Sequence, residues 1–286
     1  VFPIKDVNPT HRKPVFTLLI IVACLAVWVG WQQEPQRAPT EDLVFNLEHA
    51  AIPCEVVEGR PLTDQELTAT YGITGGDPEA CNVGSPDASA GVPGKQVWLA
   101  VVASMFFHGG FMHIAGNLLF LWVFGNNVED HLGHLRYLLF YVIGGVVAAG
   151  AHIALQPAST IPVVGASGAV AAVMGAYLVW FPRAPVRTII LVGLPILVTI
   201  TAKWLLGFWF LLQFFTSPNS GVAWAAHVGG FVFGVVIGIL VRSVRAVQRA
   251  SWTPDHREDM DPRHWDSTGG IGPVQEYRRW SPRQRP

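Results

Sequence analysis

The sequence predicts an all-α, polytopic membrane protein built as a bundle of six transmembrane helices. Three observations carry this. Hydrophobic residues make up 51% of the chain and charged residues only 14%, whereas soluble domains carry about 25% charged residues. Apolar runs long enough to cross a bilayer recur along the chain. Lys and Arg cluster beside alternate ends of those runs, the pattern expected of a threaded multi-pass chain.

Residues 1–13 form an N-terminal segment that ends in His11-Arg12-Lys13, and the first span follows at 14–31. A basic flank before an apolar run also describes a signal peptide. The run continues past Cys24 through "LAVWVGW" with no small-x-small site after it, so it reads as a retained helix. Residues 32–97 form a long polar loop, rich in Pro, Gly, Asp and Glu, without sustained periodicity. Its acids, from Glu34 to Asp87, outnumber Arg37, Arg60 and Lys95. Cys54 and Cys81 lie in it; a disulfide, if the loop is external, and two free thiols both remain open.

Residues 97–108 ("VWLAVVASMFFH") read as an interfacial lead-in to the second span. Further apolar runs cover about 111–127, 135–155, 163–181, 189–216 and 222–241. The run 189–216 is longer than a bilayer needs, and Pro195 and Lys203 interrupt it. Residues 186–201 are therefore expected to be partly interfacial and the span to occupy roughly 201–216, with Lys203 snorkelling. Residues 242–286 read as a polar cytoplasmic tail. With six spans, Lys5, Arg12, Lys13, Arg136, Arg183, Arg187, Arg242, Arg245 and Arg249 all fall on one side. Both termini are then cytoplasmic and the loop 32–97 is external.

Polar residues inside the spans point to function. The second span contains "HGGFMHIAGN", with His108, His113 and Asn117; the fourth opens with "GASG" around Ser167; the sixth opens with "AWAAHVGGFVFG" around His227. These spans run in one direction, so their first halves share a depth. Ser167 falls about 7 Å below Pro162 and His227 about 9 Å below Gly221 at helical rise. His113 and Asn117 are spaced i, i+4 and share a helix face. Ser167, Ala171 and Gly175, and His227, Gly230, Gly234 and Gly238, form two small-residue stripes that let the fourth and sixth spans approach closely. That approach brings the Ser167 hydroxyl toward the His227 imidazole, the geometry of an activated nucleophile. Taken alone, Ser167 is the sort of residue that fills a helix contact.

No carboxylate lies at that depth, since Glu129 and Asp130 sit at the far end of the second span. A Ser–His dyad is the reading. Asn117, His113 and the backbone N–H groups at Ser167 and Gly168 are the candidate oxyanion donors. No HExxH motif is present and no span contains an aspartate, so neither a metal site nor an aspartyl centre is expected, and no cofactor. The G-x-S-x-G elbow of α/β-hydrolases is not matched either. No basic stripe interleaved with aromatics suggests nucleic acid as a partner. A transporter is disfavoured by the lack of an internal repeat. A non-catalytic membrane chaperone that recognises transmembrane helices remains the rival class.

These motifs resemble the rhomboid intramembrane serine proteases over roughly residues 96–241. "HGGFMHIAGN" is similar to that family's helix 2 motif, "GASG" to its nucleophile motif, "AHVGGFVFG" to its general-base motif, and "GFWFLLQFF" (207–215) to its fifth helix. The resemblance implies a rhomboid-like core at 98–241, Ser167 as nucleophile, His227 as base, and His113 and Asn117 as oxyanion contacts. It also implies an endopeptidase whose substrates are transmembrane segments of membrane proteins in the lipid bilayer. Two departures stand out: Trp98 is followed by Leu99 where members often carry Trp-Arg. Ala171 stands four residues after Ser167, where some members place an aromatic ring against the histidine. His227 must therefore be held by something else. Trp204, Trp209 and Phe210 on the fifth span are candidates for a lateral substrate gate against the second.

Overall fold

The computed structural model describes residues 2–32, 39–73, 76–85, 87–192, 194–216 and 222–251. In chain order these form β1 (Phe2–Asp6), α1 (Val15–Val27), α2 (Pro39–His49), α3 (Pro53–Glu58), α4 (Asp64–Tyr71), α5 (Val97–Ala103), α6 (Phe111–Leu132) and α7 (His134–Leu155). They continue with α8 (Ser167–Trp180), β2 (Pro185–Val192), β3 (Leu194–Thr201), α9 (Ala202–Gln213) and α10 (Trp224–Ser251). Val1–Arg242 is one compact unit; of the second, Ser243–Pro286, only the end of α10 is described. The remainder of the expected polar tail lies outside the described residues.

Among the described residues, three helices are long and apolar enough to cross a membrane: Val15–Gln32, His134–Leu155 and Trp224–Val244. Val97–Phe106 and Phe111–Leu132 qualify together but are bent by 78° at the intervening break, where Gly109 and Gly110 interrupt the helix. The lead-in at 97–108 is thus mostly helical, in α5 and a following 3-10 turn. The helix α8 is 14 residues long and α9 is 12. At 1.5 Å per residue they reach about 21 and 18 Å, short of a ~30 Å hydrocarbon core.

The all-α expectation needs correction. A three-stranded antiparallel sheet, in the order β1-β2-β3, occupies the N-terminus and the stretch read as interfacial. "RTIILV" and "VTIT" are dense in β-branched residues, which fit a pleated surface better than a helix. Pairing of Phe2 with Ile189 and of Asp6 with Val186 ties the N-terminal segment to this hairpin. Asp6 is buried and accepts from Tyr177 Oη at 2.7 Å and Asn127 Nδ2 at 2.5 Å. Glu129, also buried, accepts from the Phe16 and Thr17 N–H groups at 2.9 and 2.8 Å. These are unpaired donors at the start of α1, so the carboxylate caps one helix from another.

Residues 32–97 also depart from the open loop expected of them. They contain α2, α3 and α4, and Cys54 and Cys81 form a disulfide. Thr63 and Glu66 form a reciprocal capping box at the start of α4. Lys95 and Glu55 form an ion pair at 2.6 Å with both side chains 1% exposed. The helices here are short and irregularly spaced, so the 3.6-residue period never runs long enough to be read from sequence.

Nearly all of α8 is interior: Gly168 through Tyr177 are buried without a break. Its Gly and Ala residues keep it thin, and its neighbours close on it. A Cβ at Gly230, Gly234 or Gly175 would lie 2.1, 2.0 or 2.2 Å from the carbonyl oxygen of Gly168, Ala172 or Phe231, respectively. The backbones of α8 and α10 are therefore in direct contact, and Trp180 Nε1 donates to Gly238 O at 2.9 Å at the far end of the seam. The α8 side of the seam is Gly168, Ala172 and Gly175, one residue round from Ser167 and Ala171.

Candidate active site

Ser167 is the first residue of α8 and does not lie inside it, which corrects the expected start at 163. Gly165 adopts φ +122°, and a Cβ there would sit 2.7 Å from His113 Nε2. Only glycine is tolerated at this kink, and the kink ends the extended lead-in. That lead-in is stitched to the segment 50–78 and to the 3-10 turn: Val163 N–H donates to Ala51 O at 2.8 Å, Gly165 N–H to Ser104 O at 2.9 Å, and Thr160 N–H to Pro78 O at 2.9 Å. The disulfide-pinned segment thus holds the strand that delivers Ser167.

The N–H groups of Ser167, Gly168 and Ala169 lie in the first turn and have no intrahelical acceptor, and the N-cap residue Ala166 offers them no side-chain acceptor. The position beside Gly165 that is 2.7 Å from His113 Nε2 is also 3.5 Å from Ser167 Oγ, so the imidazole and the hydroxyl border one space. His113 Nδ1 accepts from Gly109 N–H at 3.3 Å. In the neutral ring the proton is then on Nε2, on the side of Ser167. Asn117, one turn further along α6, is buried, and its Nδ2 has no hydrogen-bond partner. His108 is buried, with its backbone paired to Gln32.

His227 lies one turn into α10, across the seam from the start of α8. The structure brings Ser167 and His227 to the same end of that seam, yet the hydroxyl and the ring make no hydrogen bond to each other. Instead, His227 Nδ1 is 2.7 Å from Gln213 Oε1. The ring also lies against Trp209, at 5.7 Å between centroids and 39° between planes. Trp209 in turn packs on Phe120 of α6 and Phe231 of α10. The hold on His227 that Ala171 cannot provide therefore comes from α9.

Gln213 and His152 escaped the sequence reading. Gln213 was legible as the lone amide in "GFWFLLQFF". Nothing in the sequence around His152 distinguished it from an interface histidine; it is buried on α7 and lines an apolar cleft beside Ser167. That cleft is open to solvent and is bordered by Ser104, His152, Gly165, Ser167, Gly168 and Ala226. Among the expected gate residues, Trp204 is exposed and Phe210 stacks on Phe231 at 4.6 Å.

A family model, the Rhomboid domain, matches residues 95–244. Rhomboid-related protein 2 of Mus musculus is 35% identical over 154 residues, covering 52% of this chain and 49% of that protein. Rhomboid protease GluP of Bacillus subtilis (strain 168) is 33% identical over 139 residues, 48% of this chain and 25% of its own length. Rhomboid protease GlpG of Yersinia pestis (strain Pestoides F) is 29% identical over 158 residues, 54% of this chain and 52% of its own length. The chain spans between a quarter and about half of the curated relatives it matches. With its family model matching more than half of its residues, the chain belongs to the rhomboid family of multi-pass membrane proteins.

Proposed function

We propose that this protein is an intramembrane serine endopeptidase that hydrolyses peptide bonds in or near transmembrane segments of membrane-protein substrates, using Ser167 and His227 as a dyad. The observation that carries the reading is the setting of Ser167 at the uncapped N-terminus of a buried helix. It borders the same space as a proton-bearing His113 Nε2, with His227 across the helix seam. The similarity to two proteins described as rhomboid proteases adds to it.

In this mechanism His227 removes the Ser167 proton as the hydroxyl attacks the scissile carbonyl. The negative oxygen is met by His113 Nε2–H, the unpartnered Asn117 Nδ2 and the free N–H of Gly168, all donors fixed before the charge develops. The imidazolium then protonates the leaving amine, and water hydrolyses the acyl-enzyme. Because Ser167 heads its helix, Ser167 and His227 both lie near one membrane face, where water reaches them. Ser–His hydrogen bonds are often long before substrate binds, which accommodates the present separation. Six spans, cytoplasmic termini, an external 32–97 segment, a cell-membrane location and a lateral gate formed by α9 against α6 complete the proposal. Trp209 supports the gate, since it bridges Phe120 and His227.

The test is reaction of detergent-purified protein with a fluorophosphonate probe. Wild type labels; Ser167→Ala and His227→Ala do not. Labelling that persists in Ser167→Ala overturns Ser167 as the nucleophile, and labelling that never occurs in wild type overturns the reading in favour of a non-catalytic binder of transmembrane helices.

A further inference from the structure

We infer that Gln213 is a positioning residue that fixes His227 in the tautomer a general base requires. The inference rests on the Ser167–His227 reading and adds a third member to it.

Gln213 is the last residue of α9 and is 7% exposed. Its Nε2 donates to Trp209 O, one turn back on the same helix, at 2.8 Å. A carbonyl oxygen only accepts, so this bond settles which way the amide faces. The amide oxygen is then the atom 2.7 Å from His227 Nδ1. It too can only accept, so Nδ1 carries the ring proton and Nε2 keeps its lone pair. A base that takes the Ser167 proton through Nε2 needs that form. When the ring becomes a cation during the reaction, the Nδ1–H bond to the amide turns charge-assisted and strengthens. The Trp209 ring, which lies against the imidazole, belongs to the residue whose carbonyl anchors the amide. One turn of α9 therefore fixes both the proton and the plane of the ring.

The arrangement is the mirror of His113. There a backbone N–H donates to Nδ1 and leaves the proton on Nε2; here an acceptor faces Nδ1 and leaves Nε2 bare. His113 and His227 are thereby set to opposite roles, one as donor and one as base, by what each meets at Nδ1.

Two measurements test this. The first is inactivation by a fluorophosphonate, resolved into kinact and KI, for wild type, Gln213→Leu, Gln213→Glu and Ser167→Ala. The expected result is a kinact lower by on the order of 10-fold in Gln213→Leu, with KI unchanged. Gln213→Glu keeps an acceptor facing Nδ1 but loses the donor to Trp209 O, and recovers part of the rate. The second is nitrogen-15 NMR of histidine-labelled wild type, with His227 assigned by its loss in His227→Ala. It should show the Nδ1–H form. Gln213→Leu reacting at the wild-type rate, or a wild-type His227 carrying its proton on Nε2, overturns the inference. Should Gln213→Leu not fold, the wild-type tautomer decides alone. Labelling that survives Ser167→Ala overturns the protease reading instead, and the tautomer is still read independently of activity.

Discussion

Replacing Gly234 by alanine, two turns along α10 from His227 and on the same face, should cripple the proposed chemistry without touching any group that performs it. A Cβ at this position would lie 2.0 Å from the Ala172 carbonyl oxygen. An ordinary C···O contact needs about 3.3 Å, so the α8–α10 seam must open by roughly 1.3 Å. The obstacle is helix backbone, which cannot swing aside as a side chain can. One turn nearer the site the same two helices are equally close, since a Cβ at Gly230 would lie 2.1 Å from Gly168 O, so the opening is passed toward Ser167 and His227. A misplacement of about 1 Å between reacting groups costs on the order of 10²-fold in rate, and the overpacking itself costs about 1–3 kcal/mol. The assay is the initial rate of fluorophosphonate labelling on folded, monodisperse protein, with the thermal midpoint read alongside. Gly150→Ala is the control: a Cβ there meets nothing within 4 Å, and alanine is the better helix former by about 0.5–1 kcal/mol. A folded Gly234→Ala protein that labels as fast as wild type would refute the claim that seam width sets the Ser167–His227 geometry.

Two other predictions concern the parts that hold the site in place. Lys95→Met should cost about 3–5 kcal/mol, because it strands Glu55 as an unpaired buried carboxylate. Lys95→Met combined with Glu55→Leu should recover most of the loss in thermal unfolding, and a single variant as stable as wild type would sink the idea. Burial pushes the Asp6 carboxyl up to about 6, from 3.8, against the opposing pull of Tyr177 and Lys5. A carboxyl raised on folding favours the protonated form in the folded state, so its contribution is fully present below about 3.8 and is lost as pH rises through about 6. Asp6→Asn should therefore raise the thermal midpoint at pH 7.5 and leave it nearly unchanged at pH 4; an equal effect at both would exclude this latch.

The face each helix turns to its neighbour was legible in the sequence. The i, i+4 spacing of His113 and Asn117, the intramembrane His227 and the glycine-rich stripes all follow from helical periodicity, and the α8–α10 contact they imply is present. On α8 the seam runs through Gly168, Ala172 and Gly175, so of the expected stripe only Gly175 lies on it; Ser167 and Ala171 are one residue round. The sheet was missed because "RTIILV" and "VTIT" are as apolar as a membrane span, and hydropathy does not separate the two; β-branching does so only in part. The segment 39–97 was missed for the opposite reason: its helices are too short to show a period.

What the sequence determined by itself was membership and inventory: a multi-pass chain of the rhomboid family, with a serine and histidines in its apolar spans. Composition and motif order carry that much because both are one-dimensional. What only the tertiary structure decided was how those groups are aimed. The free donors around Ser167 exist because a glycine kink starts α8 at that residue. The neutral ring of His113 carries its proton on Nε2 because Gly109 N–H faces Nδ1. The imidazole of His227 is held from a different helix, through Gln213 and Trp209. A hydrogen bond or ring contact depends on a few tenths of an ångström and on direction, and these partners come from the local turn (Gly109) or from a neighbouring helix (Gln213, Trp209). Spacing along the chain contains neither quantity.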